Sequence, residues 1–172
     1  RRPCLPCLIV RTARFFPEPD GRDDVRTAYD DLNLKVNELL YRRVDLEDVV
    51  SAHRRALERA PEIGFGRYIV TGTTPFTRDD LTAVREDTPS VVRRLFPDYV
   101  EIYAQRGWSM LPSIERIYVN DRARRDLDWA PRYDFRHALD RLAEGGDPRS
   151  RLAIAVGAKG YHPVSSGVYT VR

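Results

Sequence analysis

An apolar run near the start of the chain limits the possible folds more than any other feature. The run from Leu5 to Thr12 is rich in leucine, isoleucine and valine, and no charged residue interrupts it before Arg11. Short runs without polar alternation are typical of strands that are buried on both faces, as in a parallel sheet. The run therefore predicts an α/β fold in which this segment is a buried strand.

The clearest helical pattern of the chain lies where a crossover helix would be needed. Asp45 is a suitable N-cap, with Asp48 three residues further on, and apolar residues recur at helical spacing until Pro61. A second β-rich run, from Arg67 to Gly72, follows this helix. Together the three segments predict a strand–helix–strand unit of a parallel sheet.

Glycine, proline and capping residues divide the rest of the chain into short elements. Helical spacing from Asp23 to about Leu40 predicts one helix before the crossover helix, and Ile114 to Val119 predicts a short strand. Residues after Asp147 show no convincing period. The other predicted helices are Thr77 to about Glu86, Pro89 to about Phe96, Pro97 to Gly107, Asp121 to Leu127, and a last one around Phe135 to Leu142.

These elements predict the end of a sheet in about residues 1–72 and a mostly helical lobe in about residues 73–172. The balance of 29 basic and 26 acidic residues, interleaved along the chain, does not favour a nucleic-acid partner. The longest apolar run, Leu152 to Ala158, is far shorter than the roughly 18 residues of a membrane span. Without an initiator Met or a signal-peptide core, we expect a cytoplasmic piece of a longer chain, with no membrane partner.

Candidate catalytic and metal sites are few. The Cys4-x-x-Cys7 pair has the spacing of a redox motif or half a zinc site, but a second ligand pair is absent. His53 lies on the apolar face of the predicted crossover helix, which favours a packed core histidine. The segment from Asp134 to Asp140 spreads its side chains over a broad arc, and no glycine-rich phosphate loop exists. We therefore predict no catalytic, metal-binding or cofactor-binding residue.

Arginines beside aromatic residues are the best candidates for ligand binding. Arg42 and Arg43 follow Tyr41, and Arg106 precedes Trp108, each group at the end of a predicted element. Guanidinium groups form paired hydrogen bonds with phosphate or carboxylate. Arg14 completes the list of predicted binding residues. It directly follows the first predicted strand, and ligands of parallel sheets bind at the carboxyl ends of strands.

Four segments resemble, in order, successive landmarks of one protein family. They are Leu8 to Pro17, Arg43 to Val50, Gly66 to Gly72, and Leu127 to Pro131. Their order and spacing are similar to those in the C-terminal half of the extended short-chain dehydrogenase/reductases. This is the NAD-dependent epimerase/dehydratase family, which includes the nucleotide-sugar 4-epimerases. The resemblance runs through residues 5 to 162 and implies a partial Rossmann-like sheet followed by a small substrate-binding lobe.

What the resemblance implies is substrate binding without cofactor chemistry. The family's nucleotide-binding glycines and its catalytic Tyr-x-x-x-Lys precede the first landmark, and this chain has neither. We therefore expect the substrate-binding portion of an NAD- or NADP-dependent epimerase or dehydratase acting on a nucleotide sugar. Alone, it is expected to be inactive and to bind no cofactor. The alternative is a non-catalytic binding module, derived from this fold, for an acidic or phosphorylated ligand.

Two arginines gain specific roles from the resemblance. Arg106 falls near an arginine that contacts the nucleotide diphosphate in the epimerases, and Arg14 stands where many members carry an asparagine near the sugar. Tyr41 and Arg42 replace the family's usual Arg-Asp pair before the crossover helix. The resemblance therefore places the substrate beside Arg14 and Arg106, with Arg42 and Arg43 as further partners.

The resemblance also implies an unpaired strand edge along Leu5 to Arg11. In the family, the corresponding strand pairs with a strand from the half that this chain lacks. Because an apolar strand edge without interior charges can add a strand of another chain, we expect the isolated chain to self-associate or to stay partly unfolded. Size-exclusion chromatography with light scattering tests this, and a monomer that melts cooperatively would contradict it.

Overall fold

The computed structural model of this chain describes residues 5–157. Two parallel strands joined by a long helix are followed by a group of short helices. The elements are β1 (Cys7–Thr12), α1 (Asp23–Ala28), α2 (Asp31–Glu38), α3 (Leu46–Ile63), β2 (Phe65–Val70), α4 (Leu81–Glu86), α5 (Thr88–Leu95), α6 (Tyr99–Ala104), α7 (Asp121–Leu127), α8 (Phe135–Ala143) and α9 (Arg151–Val156).

The strand–helix–strand unit is present, so the fold is mixed α/β. β1 pairs in parallel with β2, with Cys7 opposite Phe65 and Thr12 opposite Val70. The α3 helix connects the two strands and packs on one face of the sheet. It begins after Asp45, whose carboxylate accepts a hydrogen bond from the backbone N–H of Glu47. The predicted N-cap is thereby confirmed.

The prediction that β1 is buried on both faces is wrong. The side chains of Ile9 on β1 and Ile69 on β2 are exposed. α7 packs beside α3, because its Ala123 and Leu127 belong to the same buried cluster as Tyr68 of β2. Among residues 5–157 these two helices cover one face of the sheet, and the other face remains open to solvent.

Buried apolar residues form two separate clusters. One lies between the sheet, α3 and α7, and the other lies among the short helices. α2 belongs to the second cluster, although it precedes β2 in the chain, because Val36 packs there with Leu40. The helical lobe therefore has its own core, and the chain segment between α2 and α3 connects the two clusters.

Gly66 on β2 is required because the ring of Tyr68 lies over it. A Cβ atom added at Gly66 would be 2.6 Å from the Tyr68 Cε2 atom, and Tyr68 is buried and cannot move aside. We expect Gly66→Ala to lower the free energy of unfolding by about 1–3 kcal/mol, the usual effect of overpacking. Urea unfolding measures it, with Gly21→Ala as the control because nothing lies within 4 Å of that position. Equal effects of the two substitutions would refute this account.

Three other predicted elements differ from the observed ones. The single helix expected from Asp23 to Leu40 is broken into α1 and α2, because Asp30 caps α2 by accepting hydrogen bonds from the backbone N–H groups of Leu32 and Asn33. α9 follows the helix expected to be the last, and it begins where the Ser150 hydroxyl accepts from the backbone N–H of Ala153.

The strand expected from Ile114 to Val119 does not form. Two backbone N–H groups of this segment donate to backbone carbonyl groups, but the two carbonyl groups belong to separate parts of the chain. The Ile114 N–H donates to the Val84 carbonyl at 3.3 Å, and the Tyr118 N–H donates to the Tyr41 carbonyl at 2.8 Å. Because these partners lie on different elements, the segment makes no strand ladder.

Candidate anion-binding site

The carboxyl ends of the two strands converge on the segment between α2 and α3. The Arg14 N–H donates to the Arg42 carbonyl at 3.0 Å, and the Val44 N–H donates to the Arg14 carbonyl at 3.0 Å. On the other side, the Gly72 N–H donates to the Arg43 carbonyl at 2.7 Å. The segment from Arg42 to Val44 therefore lies between the continuations of β1 and β2. This arrangement brings Arg14, Arg42 and Arg43 together.

The side chains of these arginines meet on one buried carboxylate, that of Glu38 at the end of α2. Glu38 Oε1 lies 2.7 Å from Arg14 Nη1 and 2.8 Å from Arg42 Nη2. Glu38 Oε2 lies 2.7 Å from Arg43 Nε. Asp20 adds a second carboxylate, with Oδ2 2.8 Å from Arg14 Nη1. These three guanidinium groups and two carboxylates are here called the arginine cluster. Together they carry one net positive charge.

The ion pair between Arg14 and Asp20 shifts the pKa of both groups. Burial alone would lower the pKa of Arg14, but the Coulombic attraction of Glu38 and the hydrogen bond to Asp20 raise it above its usual value. Burial alone would raise the pKa of Asp20, but the backbone N–H of Arg22 and the Arg14 guanidinium hold it below its usual value. Both shifts favour the charged forms of Arg14 and Asp20, which stabilise each other.

Two of the three arginines are accessible to a ligand. The side chains of Arg14 and Arg42 are each 38% exposed, whereas that of Arg43 is largely buried. Arg14 Nε and Nη2 and Arg42 Nη1 donate to no other residue in the described part of the chain. The Arg42 guanidinium also lies 5.0 Å from the Tyr41 ring centre. These open donors can bind an anion while Glu38 holds the guanidinium groups in place.

Tyr41 adds a neutral hydroxyl to this region. Burial raises its pKa to about 12, so the phenol stays protonated at neutral pH.

The end of β2 is held by Asn120, whose Nδ2 donates to the Thr71 carbonyl at 2.8 Å and to Thr73 Oγ1 at 3.1 Å. The strand ends beside the arginine cluster are thus tied to α7 through its N-cap residue, Asn120.

Arg106 does not join the arginine cluster. Its Nη2 donates to the Leu142 carbonyl at 2.5 Å and its Nη1 to the Ile102 carbonyl at 3.3 Å. Leu142 and Ile102 lie near the C-terminal ends of α8 and α6, where free carbonyl groups need donors. In this structure Arg106 therefore stabilises two helix ends, and the diphosphate contact that the resemblance implies for it stays a prediction.

A small apolar cleft opens beside the arginine cluster. Its volume is about 60 Å³, enough for ordered water or a small group. Phe15, Leu32 and Val36 contribute to its wall, and Arg43 lines both the cleft and the cluster. Lys35 is also part of the wall, and its Nζ donates to the Pro17 carbonyl and to Asp31. The cleft can therefore take a small apolar group next to an anion held by the arginines.

His53 and the Cys4–Cys7 pair are the other candidate residues that the sequence offered. His53 is exposed, and its Nδ1 lies 2.8 Å from the Val49 carbonyl, so the prediction of a packed core histidine is wrong. The reason is that this flank of α3 is uncovered, since Val50 and Leu57 beside it are exposed too. Cys7 is exposed, while Cys4 lies outside the described residues.

A metal site and a membrane span each require a specific arrangement of residues. No three histidine, cysteine, aspartate or glutamate side chains among residues 5–157 are grouped so that they could hold a metal ion. In the same range, no helix combines the length and the apolar character needed to cross a membrane.

Sequence reasoning missed both carboxylates of the cluster. Glu38 and Arg42 have the i,i+4 spacing of a helical ion pair, which was a readable signal. Nothing in the sequence links Asp20 or Arg14 to that pair, because their contacts depend on how the loop after β1 folds back.

Comparison of this chain with protein-family models, with curated proteins and with solved structures finds no match. The resemblance to the epimerase/dehydratase family therefore depends only on the order and spacing of its four sequence segments. The site geometry is the independent basis for a functional proposal.

Proposed function

We propose that this chain is the substrate-binding portion of an NAD- or NADP-dependent epimerase or dehydratase that acts on a nucleotide sugar. The arginine cluster would bind the diphosphate of the substrate. One observation carries this proposal: three guanidinium groups share two carboxylates at the carboxyl ends of parallel strands, with open donors on Arg14 and Arg42. Ligands of open α/β sheets bind at that end of the strands.

The residues of the cluster divide the work of holding a diphosphate. Arg14 and Arg42 offer the exposed donors, and each charge-assisted hydrogen bond to a phosphate oxygen would contribute about 1.5–3 kcal/mol. Arg43 is buried and holds the loop after β1, because its Nη1 donates to the Phe16 carbonyl at 3.0 Å. Glu38 orients all three side chains, so little side-chain freedom is lost on binding.

Hydride transfer would lie outside this chain. The sequence contains neither a glycine-rich nucleotide loop nor Tyr-x-x-x-Lys, the groups that the family uses for cofactor binding and proton transfer. Under this proposal the partial Rossmann-like sheet is completed by a cofactor-binding half. The isolated chain would then bind the substrate diphosphate without turning it over. Calorimetric titration with NAD and NADP should show no binding, and a micromolar dissociation constant would contradict the proposal.

Substitution of Arg42 tests the site directly. We expect Arg42→Gln to weaken the binding of uridine diphosphate about tenfold or more, because an exposed donor and a positive charge are lost. Glu38 keeps two partners in this variant, so the fold should remain intact. Arg124→Ala is the control, because Arg124 is exposed on α7 and takes part in no ion pair within residues 5–157. Calorimetry measures both, and equal effects would mean a general charge effect.

A non-catalytic module for phosphorylated ligands is the second candidate function. It is favoured by Arg106, the residue expected to anchor the diphosphate, because its Nη1 and Nη2 each donate to a helix carbonyl. Arg106→Ala distinguishes the two candidates. A tenfold loss of uridine diphosphate binding would support the nucleotide-sugar site, whereas an unchanged affinity, with inorganic pyrophosphate binding equally well, would favour the simpler module.

A further inference from the structure

The uncovered face of the sheet is the largest feature that the anion-binding site does not explain. Side chains alternate between the two faces of a strand, so every second residue of β1 and β2 lies on this face. In register, Ile9 is opposite Arg67, and Arg11 is opposite Ile69. The face, here called the open face, consists of Cys7, Ile9, Arg11, Phe65, Arg67 and Ile69.

The open face is too apolar to be an ordinary solvated surface. Phe65 is 59% exposed, Ile69 39% and Ile9 38%, and Ile9, which is opposite Arg67, lies diagonally between the two β2 residues. Parallel sheets occur almost always with both faces covered, and exposed contiguous apolar patches mark interaction sites. The open face therefore has the chemistry of a surface that another layer covers.

The charges on the open face are of one sign. Arg11 and Arg67 are exposed, and neither forms an ion pair with a residue in the described part of the chain. The Arg67 guanidinium lies 5.8 Å from the ring centre of Phe65, so it remains above the apolar surface. A second copy packed on this face would bring four guanidinium groups together, which is unfavourable. A partner with carboxylates beside an apolar stripe is complementary.

We propose that the open face binds an amphipathic α-helix of another polypeptide. The apolar stripe of that helix would pack on Ile9, Phe65 and Ile69, and acidic residues flanking the stripe would pair with Arg11 and Arg67. Helices are the usual covering layer of parallel sheets. The six-residue strands span about 20 Å, which a helix covers with about 13 residues.

This interaction is independent of the anion-binding site. The open face runs along the strands, whereas the arginine cluster lies beyond their carboxyl ends and shares no residue with it. Uridine diphosphate titration therefore reports on the cluster, and helix binding reports on the open face.

A pair of synthetic peptides tests the proposal with the full chain. Both are 18-residue amphipathic helices with the same leucine stripe, flanked by glutamate in one and by lysine in the other. Fluorescence anisotropy should show that the glutamate peptide binds at least tenfold more tightly. Arg67→Glu should abolish this preference, because the face then carries one positive charge, on Arg11, and one negative charge. Arg85→Glu, an exposed position on α4, is the matched control and should leave the preference unchanged.

The apolar part of the surface needs a separate variant. Ile69→Thr keeps a β-branched residue in β2, so the strand should be retained, and the glutamate peptide should bind about fivefold more weakly. Unchanged circular dichroism and unchanged uridine diphosphate binding would show that the fold and the anion site are intact. Equal affinity of the two peptides, a preference that Arg67→Glu leaves unchanged, or a dimer that Ile69→Thr dissociates would overturn the proposal.

Discussion

Replacing Glu38 with glutamine is expected to cost the chain about 3–5 kcal/mol of folding stability, the usual effect of breaking a buried ion pair. Glu38 is buried, and both of its oxygens accept from guanidinium groups at distances of 2.7 to 2.8 Å. A neutral amide would leave Arg43 without its buried counter-charge. It would also leave three like charges close together with Asp20 as their remaining acidic partner.

Urea unfolding followed by circular dichroism measures this loss. Glu86→Gln is the control, because Glu86 is exposed on α4 and makes no ion pair in the described part of the chain. The double variant Glu38→Gln/Arg42→Gln should recover part of the stability, since one repelling charge is removed. A loss below about 1 kcal/mol for Glu38→Gln would show that the arginines find other partners.

Ligand binding at the arginine cluster, as proposed above, would also stabilise the folded chain. With three guanidinium groups on two carboxylates, a bound dianion would add the negative charge that the cluster lacks. A ligand that binds only the native state raises the melting temperature. Uridine diphosphate should therefore stabilise the wild-type chain more than the Arg42→Gln variant, in which the net positive charge has been removed.

The sequence was most informative where the signal was local. The apolar runs located β1 and β2 to within two residues, and helical spacing with the Asp45 cap located α3. Caps and breakers likewise placed α7 and α8. These elements were predictable because the residues that determine them lie within one or two turns of each other.

Contacts between distant segments could not be predicted in the same way. The sequence shows an arginine after β1, but not that Arg14 would reach Glu38 across 24 positions. The sequence also does not show which face of each strand is exposed, because exposure depends on which distant elements pack on the sheet. The pattern of β1 therefore predicted a doubly buried strand, although Ile9 is exposed.

Asp48 shows how a local interpretation can miss a long-range role. Its position three residues after Asp45 predicted a capping pair. In the structure, the carboxylate instead accepts hydrogen bonds from the backbone N–H groups of Arg132, at 2.9 Å, and Tyr133, at 3.0 Å. Asp48 is buried, so it ties the start of α3 to the turn that precedes α8.

The burial of Asp48 makes stability depend on pH. Burial raises its pKa from 3.8 to about 6, although the two backbone N–H groups oppose this shift. Because the folded chain then holds this proton more tightly than the unfolded chain, protonation favours folding. The contribution is fully present below about pH 4 and is lost as the pH rises through about 6.

Asp48→Asn should therefore reveal a pH-dependent difference from the wild type. The free energy of unfolding of the wild type, relative to Asp48→Asn, should fall by about 3 kcal/mol between about pH 4 and pH 7, since each pKa unit corresponds to about 1.4 kcal/mol. Urea unfolding of both chains at several pH values measures the difference, and other carboxylates cancel because both chains carry them. Asp79→Asn, at an exposed position, serves as the control. A difference that rises with pH would mean that hydrogen bonding from Arg132 and Tyr133 outweighs burial and that Asp48 stabilises the fold in its ionised form.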